Sequence, residues 1–156
     1  MAAKFSRFKR WTKNILGFMM VMAGAAHLTF ARLEFQAQVP EWLPFPKDLV
    51  VVLSGIVEAA FGISLIFWDR YRRETGWLLA LFFVLVFPGN IAQYVNRYDA
   101  FGLNSDDLRL ARLFFQPVLI IWALWSTGAW SYRKSRHRFR FSGKKGRERK
   151  FKKQSL

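Results

Sequence analysis

Four long apolar runs constrain this chain more than any other feature of its sequence. They cover about residues 15–31, 49–68, 76–95 and 113–130. The hydrocarbon core of a bilayer takes about 20 mostly apolar residues as a helix, and each run meets or approaches that length. A soluble helical bundle would carry polar residues along one face of every helix, and these runs do not. The 156 residues are 53% hydrophobic, yet 25 Lys and Arg against 10 Asp and Glu give a formal charge of +15. The two facts are compatible because charge and hydrophobe are segregated along the chain. Aromatic or basic residues flank the runs, as interfacial anchors do. The expected fold is all-α, a membrane four-helix bundle.

Orientation follows from where the cations fall. The segment before the first run carries Lys4, Arg7, Lys9, Arg10 and Lys13, and the hairpin "DRYRRE" carries Arg70, Arg72 and Arg73. Twelve more Lys or Arg follow the fourth run, from Arg133 to Lys153. The opposite side keeps Arg32, Lys47, Arg97, Arg109 and Arg112. The positive-inside rule then places the N- and C-termini in the cytoplasm. The organisation read from this is a basic N-terminus (1–14), a four-span bundle (15–130) and a basic, disordered or interfacial tail (131–156). The small residues "MAGAA" also resemble a signal-peptide cleavage region near Ala25, but the apolar run continues through "HLTFA" instead of giving way to a polar mature sequence. The absence of cysteine excludes disulfides, thiolate ligands and thiol exchange.

The connections differ in character. "RLEFQAQVPEWLPFPKD" is restricted by Pro40, Pro44 and Pro46 and kept apolar by Phe35, Trp42, Leu43 and Phe45, so it is expected to fold back over the bundle mouth. "NRYDAFGLNSDD" ends in a helix start, with Asn104 or Ser105 as cap and Asp106 and Asp107 in the first turn. Pro88 and Pro117 fall inside runs and are expected to free the carbonyls of Val84 and Leu113.

Within the apolar runs, the polar residues carry the functional information. Glu58 shares a helical face with Ser54, Gly55 and Gly62, and His27 shares one with Gly17, Met20 and Gly24. Small residues let helices approach closely, so both side chains are expected to point inward. Val86, Asn90, Gln93 and Arg97 line one side of the third run, and Arg109, Arg112 and Gln116 one side of the fourth. At about 1.5 Å of rise per residue, Glu58 lies near mid-depth and His27, Asn90 and Gln116 about a turn nearer the outer surface. His27, Glu58, Asn90, Gln93, Arg112 and Gln116 are therefore the candidate ligand-binding residues. Intramembrane ionisable groups are sites by default, whereas interhelical hydrogen bonds alone would make the same residues packing elements. One histidine and one carboxylate fall short of a zinc site, so no metal is expected. No nucleophile triad or phosphate loop is present, and no catalytic residue is assigned; His27 and Glu58 are the candidates.

The segments "AGAAHLTF", "VPEWLPFP", "SGIVEAAFGISLI", "VFPGNIAQ" and "RLFFQPVLIIWALW" together resemble the DoxX-like family of small bacterial four-helix membrane proteins. The resemblance runs in order over about residues 15–130; "ARLEFQAQ" matches less well and the tail lies outside it. It implies a multi-pass protein of the bacterial inner membrane, associated with quinone-linked oxidoreductases. It carries over His27, Glu58, Asn90 and Gln116 as the polar positions. A lipid or quinone-like ligand is expected on these grounds, with no cofactor assigned and a non-catalytic or accessory role. The alternatives are a small membrane enzyme or proton-coupled carrier using Glu58 and His27 as acid–base groups, and a structural protein whose polar residues only pack.

The tail supplies a separate expectation. Arg133, Lys134, Arg136, Arg138 and Arg140 start directly after the last run and suit anionic lipid head groups, at about 1 kcal/mol per basic residue near the surface. Nucleic acid fits the charge but not the membrane tether.

Overall fold

The computed structural model describes residues 6–97, 102 and 105–130. Among the described residues the chain is helical, without strands: α1 (Arg7–Leu28), a short α2 (Arg32–Gln36), α3 (Lys47–Phe67), a 3-10 turn (Asp69–Tyr71), α4 (Arg72–Val95) and α5 (Asp106–Thr127). The tail residues Arg133, Lys134, Arg136, Arg138 and Arg140 lie outside the described residues, as does Asn104. Ser105 is the cap of α5, its Oγ accepting from the Leu108 amide at 3.3 Å, with Asp106 and Asp107 in the first turn. Gly128, at φ 71°, ends that helix in the left-handed conformation that glycine adopts freely.

Among the described residues, three helical stretches are long and apolar enough to cross a membrane: α3, Asp69–Val95 (the 3-10 turn with α4) and α5. α1 differs from them. It begins inside the basic segment, and Arg7, Lys9, Arg10 and Lys13 occupy its first two turns, which shortens its apolar stretch. Large apolar side chains cover the outward faces, among them Phe18, Leu53, Leu85 and Phe114.

Two helix pairs build the molecule. α1 packs most extensively on α3, and α4 on α5, while α1 also touches α5 and α3 touches α4 lightly. The first pair is a glycine seam. A Cβ at Gly24 would stand 2.5 Å from the Gly55 carbonyl oxygen, and one at Gly62 would stand 2.5 Å from that of Gly17. Ascending numbers on α1 meet descending ones on α3, so the pair is antiparallel. Without side chains at these points the two backbones come into direct contact, gaining dispersion along their length. In the second pair, Gly76 seats Thr127 at one end and Asn90 meets Gln116 towards the other.

The two ends of the assembly are chemically unlike. At the basic end, where α1 and α4 begin and α3 and α5 finish, Leu16, Met20, Leu65, Leu79, Phe83 and Ala123 form the main apolar core. The loop end, where α1 and α4 finish, is filled by polar side chains instead.

Lys13, counted in the sequence among the cations that precede the first apolar run, has a specific place in the structure. It is fully buried (0% exposed). Its Nζ donates to the Leu65 carbonyl and lies 2.9 Å from Asp69 Oδ1. Leu65 is in the last turn of α3, where carbonyls lack helical partners and a cation complements the dipole. A lysine on one helix therefore caps the end of its neighbour, which periodicity along a single helix does not reveal. Lys13→Met is expected to lose about 1–3 kcal/mol by orphaning that buried carbonyl. Thermal unfolding of the purified protein measures this against the exposed control Lys47→Met, and equal melting of the two variants would refute the capping role.

Candidate functional site at the loop end

α1 brings His27 inward because it stands three residues after Gly24, on the face that meets α3. A Cβ at Gly55 would lie 2.6 Å from the His27 Cβ, so the imidazole crosses α3 where that helix has no side chain. One turn further along α3 stands Glu58. His27 Nδ1 lies 3.0 Å from Glu58 Oε2 and 2.9 Å from the Ala23 carbonyl oxygen. Only the Ala23 contact has hydrogen-bond geometry, with Nδ1 donating to the carbonyl. Glu58 Oε2 is buried and accepts no well-directed hydrogen bond, so it keeps accepting capacity beside the imidazole.

The other face of the imidazole is covered by α2. Phe35 stacks on His27 with ring centroids 3.3 Å apart and planes 17° from parallel. α2 is tied down by Arg32, whose Nε donates to Asp48 Oδ1 at 2.6 Å and whose Nη2 pairs with Oδ2; Gln36 Nε2 donates to Oδ1 at 3.1 Å. Hydrogen bonding to Asp48 raises the Arg32 pKa above its ordinary value, so the clamp is charged at any physiological pH. The loop thus closes over the end of the bundle.

The second pair contributes a hydrogen-bonded chain. Arg112 Nε donates to Asn90 Oδ1 at 3.3 Å, Asn90 Nδ2 to Gln116 Oε1 at 3.0 Å, and Gln116 Nε2 to the Phe83 carbonyl at 2.9 Å. That carbonyl is one residue before Val84, the one Pro88 is expected to free, so the side chain enters the backbone ladder beside the proline. Gln93 is buried on the same face of α4. Arg109 is buried as well and donates to Asp106 Oδ1 at 2.7 Å.

The six candidate residues therefore gather at one end of the molecule, His27, Asn90, Gln93 and Gln116 buried and Glu58 and Arg112 partly so, in two groups: His27 with Glu58, and Asn90 with Gln116 and Arg112, Gln93 lying alongside. Chemically, the arrangement sets a carboxyl group beside an imidazole in the first group and a guanidinium beside an amide in the second. It can hold a polar head group or pass a proton between His27 and Glu58. Among the described residues no three His, Cys, Asp or Glu side chains converge as metal ligands.

A cavity of about 150 Å³ adjoins this centre beneath the loop, and His27 forms part of its wall. Glu58, Asn90, Gln93, Arg112 and Gln116 do not line it; Phe35, Gln38, Trp42, Val51, Val86 and Pro88 do. The loop residues are absent from the candidate set read from sequence. The only signal for them was the apolar, proline-restricted character of the segment, which foretold coverage of the bundle mouth but no particular contact.

Residues 16–127 match a family model described as a domain of unknown function (DUF8561). No curated protein and no solved structure matches the chain.

Proposed function

We propose that this chain, which belongs to the DUF8561 family, is a multi-pass protein of the bacterial inner membrane, of the DoxX-like type, that holds a lipid or quinone-like ligand at the polar end of its bundle. In this reading α1 crosses the bilayer together with the three more apolar stretches, its buried Lys13 being neutralised by Asp69. Both termini are cytoplasmic, and the tail from Arg133 onward rests on anionic head groups. The role is accessory to quinone-linked oxidoreductases rather than catalytic.

One observation carries the ligand reading. Glu58 Oε2 is buried 3.0 Å from His27 Nδ1 with no well-directed hydrogen bond to it. Leaving a buried acceptor unsatisfied costs about 1–3 kcal/mol, which a ligand hydroxyl or amine would recover. Asn90 and Gln116 fit a packing role better, because each has its partners within the α4–α5 pair. Ligand contact therefore falls to His27, Glu58 and Arg112.

Mass spectrometry of protein purified in mild detergent tests this. A lipid or quinone-like molecule is expected with the wild type and is expected to be lost from Glu58→Gln and His27→Ala. Equal occupancy in all three proteins, or none in the wild type, would sink the proposal.

A further inference from the structure

The cavity beneath the loop is a cleft between the two helix pairs. Val51 lines it from α3 and Val86 from α4, two helices that touch only lightly. Its roof is fastened on both sides. Arg32 and Gln36 hold the loop to Asp48 at the start of α3. On the other side the Gln38 carbonyl sits against Gly89 of α4, so closely that a Cβ there would collide with it. The flank is different. His27 and Val51 are buried, whereas Leu85 and Trp42, which line the same cavity, are 68% and 72% exposed. The cleft therefore runs from the interior to the outward surface and opens sideways.

That outward surface decides what can enter. It belongs to two of the helical stretches long and apolar enough to cross a membrane, and exposed Leu53, Leu81 and Leu85 continue it on either side of the mouth. Val51 lies four residues inside α3 and Pro88 seven before the end of α4, so the cleft is about 6–10 Å below the loop end of these helices. In a bilayer this is the hydrocarbon just beneath the head groups of one leaflet. Of the lining residues, His27, Gln38, Ser54 and Trp42 carry polar side-chain atoms, and the others are hydrocarbon or glycine. A volume of about 150 Å³ suits a group the size of one benzene ring, which is a short stretch of hydrocarbon and not a whole lipid. Left empty, the walls forfeit the dispersion that a filling group would supply.

We propose that the cleft between α3 and α4 takes the acyl chain of a bilayer phospholipid, which enters sideways past Leu85 and Trp42 beneath the fastened loop. This rests on the membrane-spanning reading above but not on Glu58, which does not line the cleft.

The test places the full-length protein in nanodiscs of phosphatidylethanolamine and phosphatidylglycerol with a trace of phosphatidylcholine whose acyl chain carries a diazirine. Light expels dinitrogen from the probe, the carbene inserts into the nearest bond, and peptide mass spectrometry locates the adducts. Phe114 on α5 is the reference, because it is as exposed as Leu85, at 68%, and lies outside the cleft. Adducts at Leu85 and Val86 are expected to exceed those at Phe114 about fivefold, a preference of about 1 kcal/mol. Val86→Phe fills the cleft and is expected to remove the excess. Leu85→Trp exchanges one exposed apolar side chain for a larger one at the mouth, and is expected to bring adducts at Val86 down to the Phe114 level without disturbing the core. Equal labelling of cleft and reference in the wild type, or an excess that survives either substitution in folded protein, would overturn the proposal. Its failure is distinct from that of the Glu58 reading. A wild type that co-purifies with a ligand but shows no excess refutes the cleft alone. An excess in protein without a co-purifying ligand, or one that persists in Glu58→Gln, supports the cleft.

Discussion

Gly24→Leu is expected to be the most damaging single substitution in the helical region, lowering stability by about 3 kcal/mol and the folded-to-unfolded ratio by about two decades. The obstacle is backbone. A Cβ at position 24 meets the Gly55 carbonyl oxygen at 2.5 Å and the Ala59 amide nitrogen at 2.8 Å. Neither can rotate away as a side chain could, so α1 and α3 must separate along their length and lose the contacts between Gly17 and Gly62 as well. Gly62→Leu is expected to act alike, from the opposite strut of the same seam. Gly17→Ala is expected to be milder, because it adds a single methyl, which meets the Gly62 carbonyl oxygen at 2.9 Å instead of 2.5 Å and the movable Ile66 side chain at 2.9 Å. Ala25→Leu is the control: it lies next to Gly24 in sequence but is exposed on the outward face. Thermal unfolding in one detergent ranks the four variants. A Gly24→Leu protein that melts with Ala25→Leu would remove the seam from the account of this fold.

The second large effect concerns the polar contact at the loop end. Glu58→Gln keeps the shape of the side chain but changes the group that stands 3.0 Å from His27 Nδ1. Leaving a buried polar group without its partner costs about 1–3 kcal/mol. The Glu58 side chain is 12% exposed, so about 2 kcal/mol is expected here. The same reasoning predicts non-additivity. The double variant Glu58→Gln, His27→Gln is expected to be more stable than the sum of the single losses by about 1 kcal/mol, because the two side chains touch each other. A double-mutant cycle from chemical or thermal unfolding measures the coupling, and strictly additive losses would show that the two side chains act independently.

Much of the loop-end chemistry was legible in the sequence because a helix puts residues three, four and seven apart on one face. Glu58 shares its face with Gly55 and Gly62, and His27 with Gly24, and those spacings alone turned both side chains inward. Ser105 followed by two acids marked the start of α5. What spacing could not give was partnership. Nothing along α4 or α5 says that Gln116 reaches the Phe83 carbonyl, or that Asn90 rather than Gln93 bonds it. Phe35 lies in a segment without helical periodicity of any length, so its stack on His27 had no local signal. Nor does anything in the sequence single out Lys13 among the many cations near the N-terminus as the one whose side chain caps α3.

By itself, then, the sequence determined the helical class, the apolar outer faces and the gathering of polar residues at one end, because each of these depends on the local period of the chain and its depth along a helix. Only the tertiary structure decided that α1 and α3 touch backbone to backbone, that Lys13 caps a neighbouring helix, and that a cavity lies under the loop beside His27. Those features depend on which faces meet and at what distance. They arise between residues far apart in the chain, where periodicity carries no information.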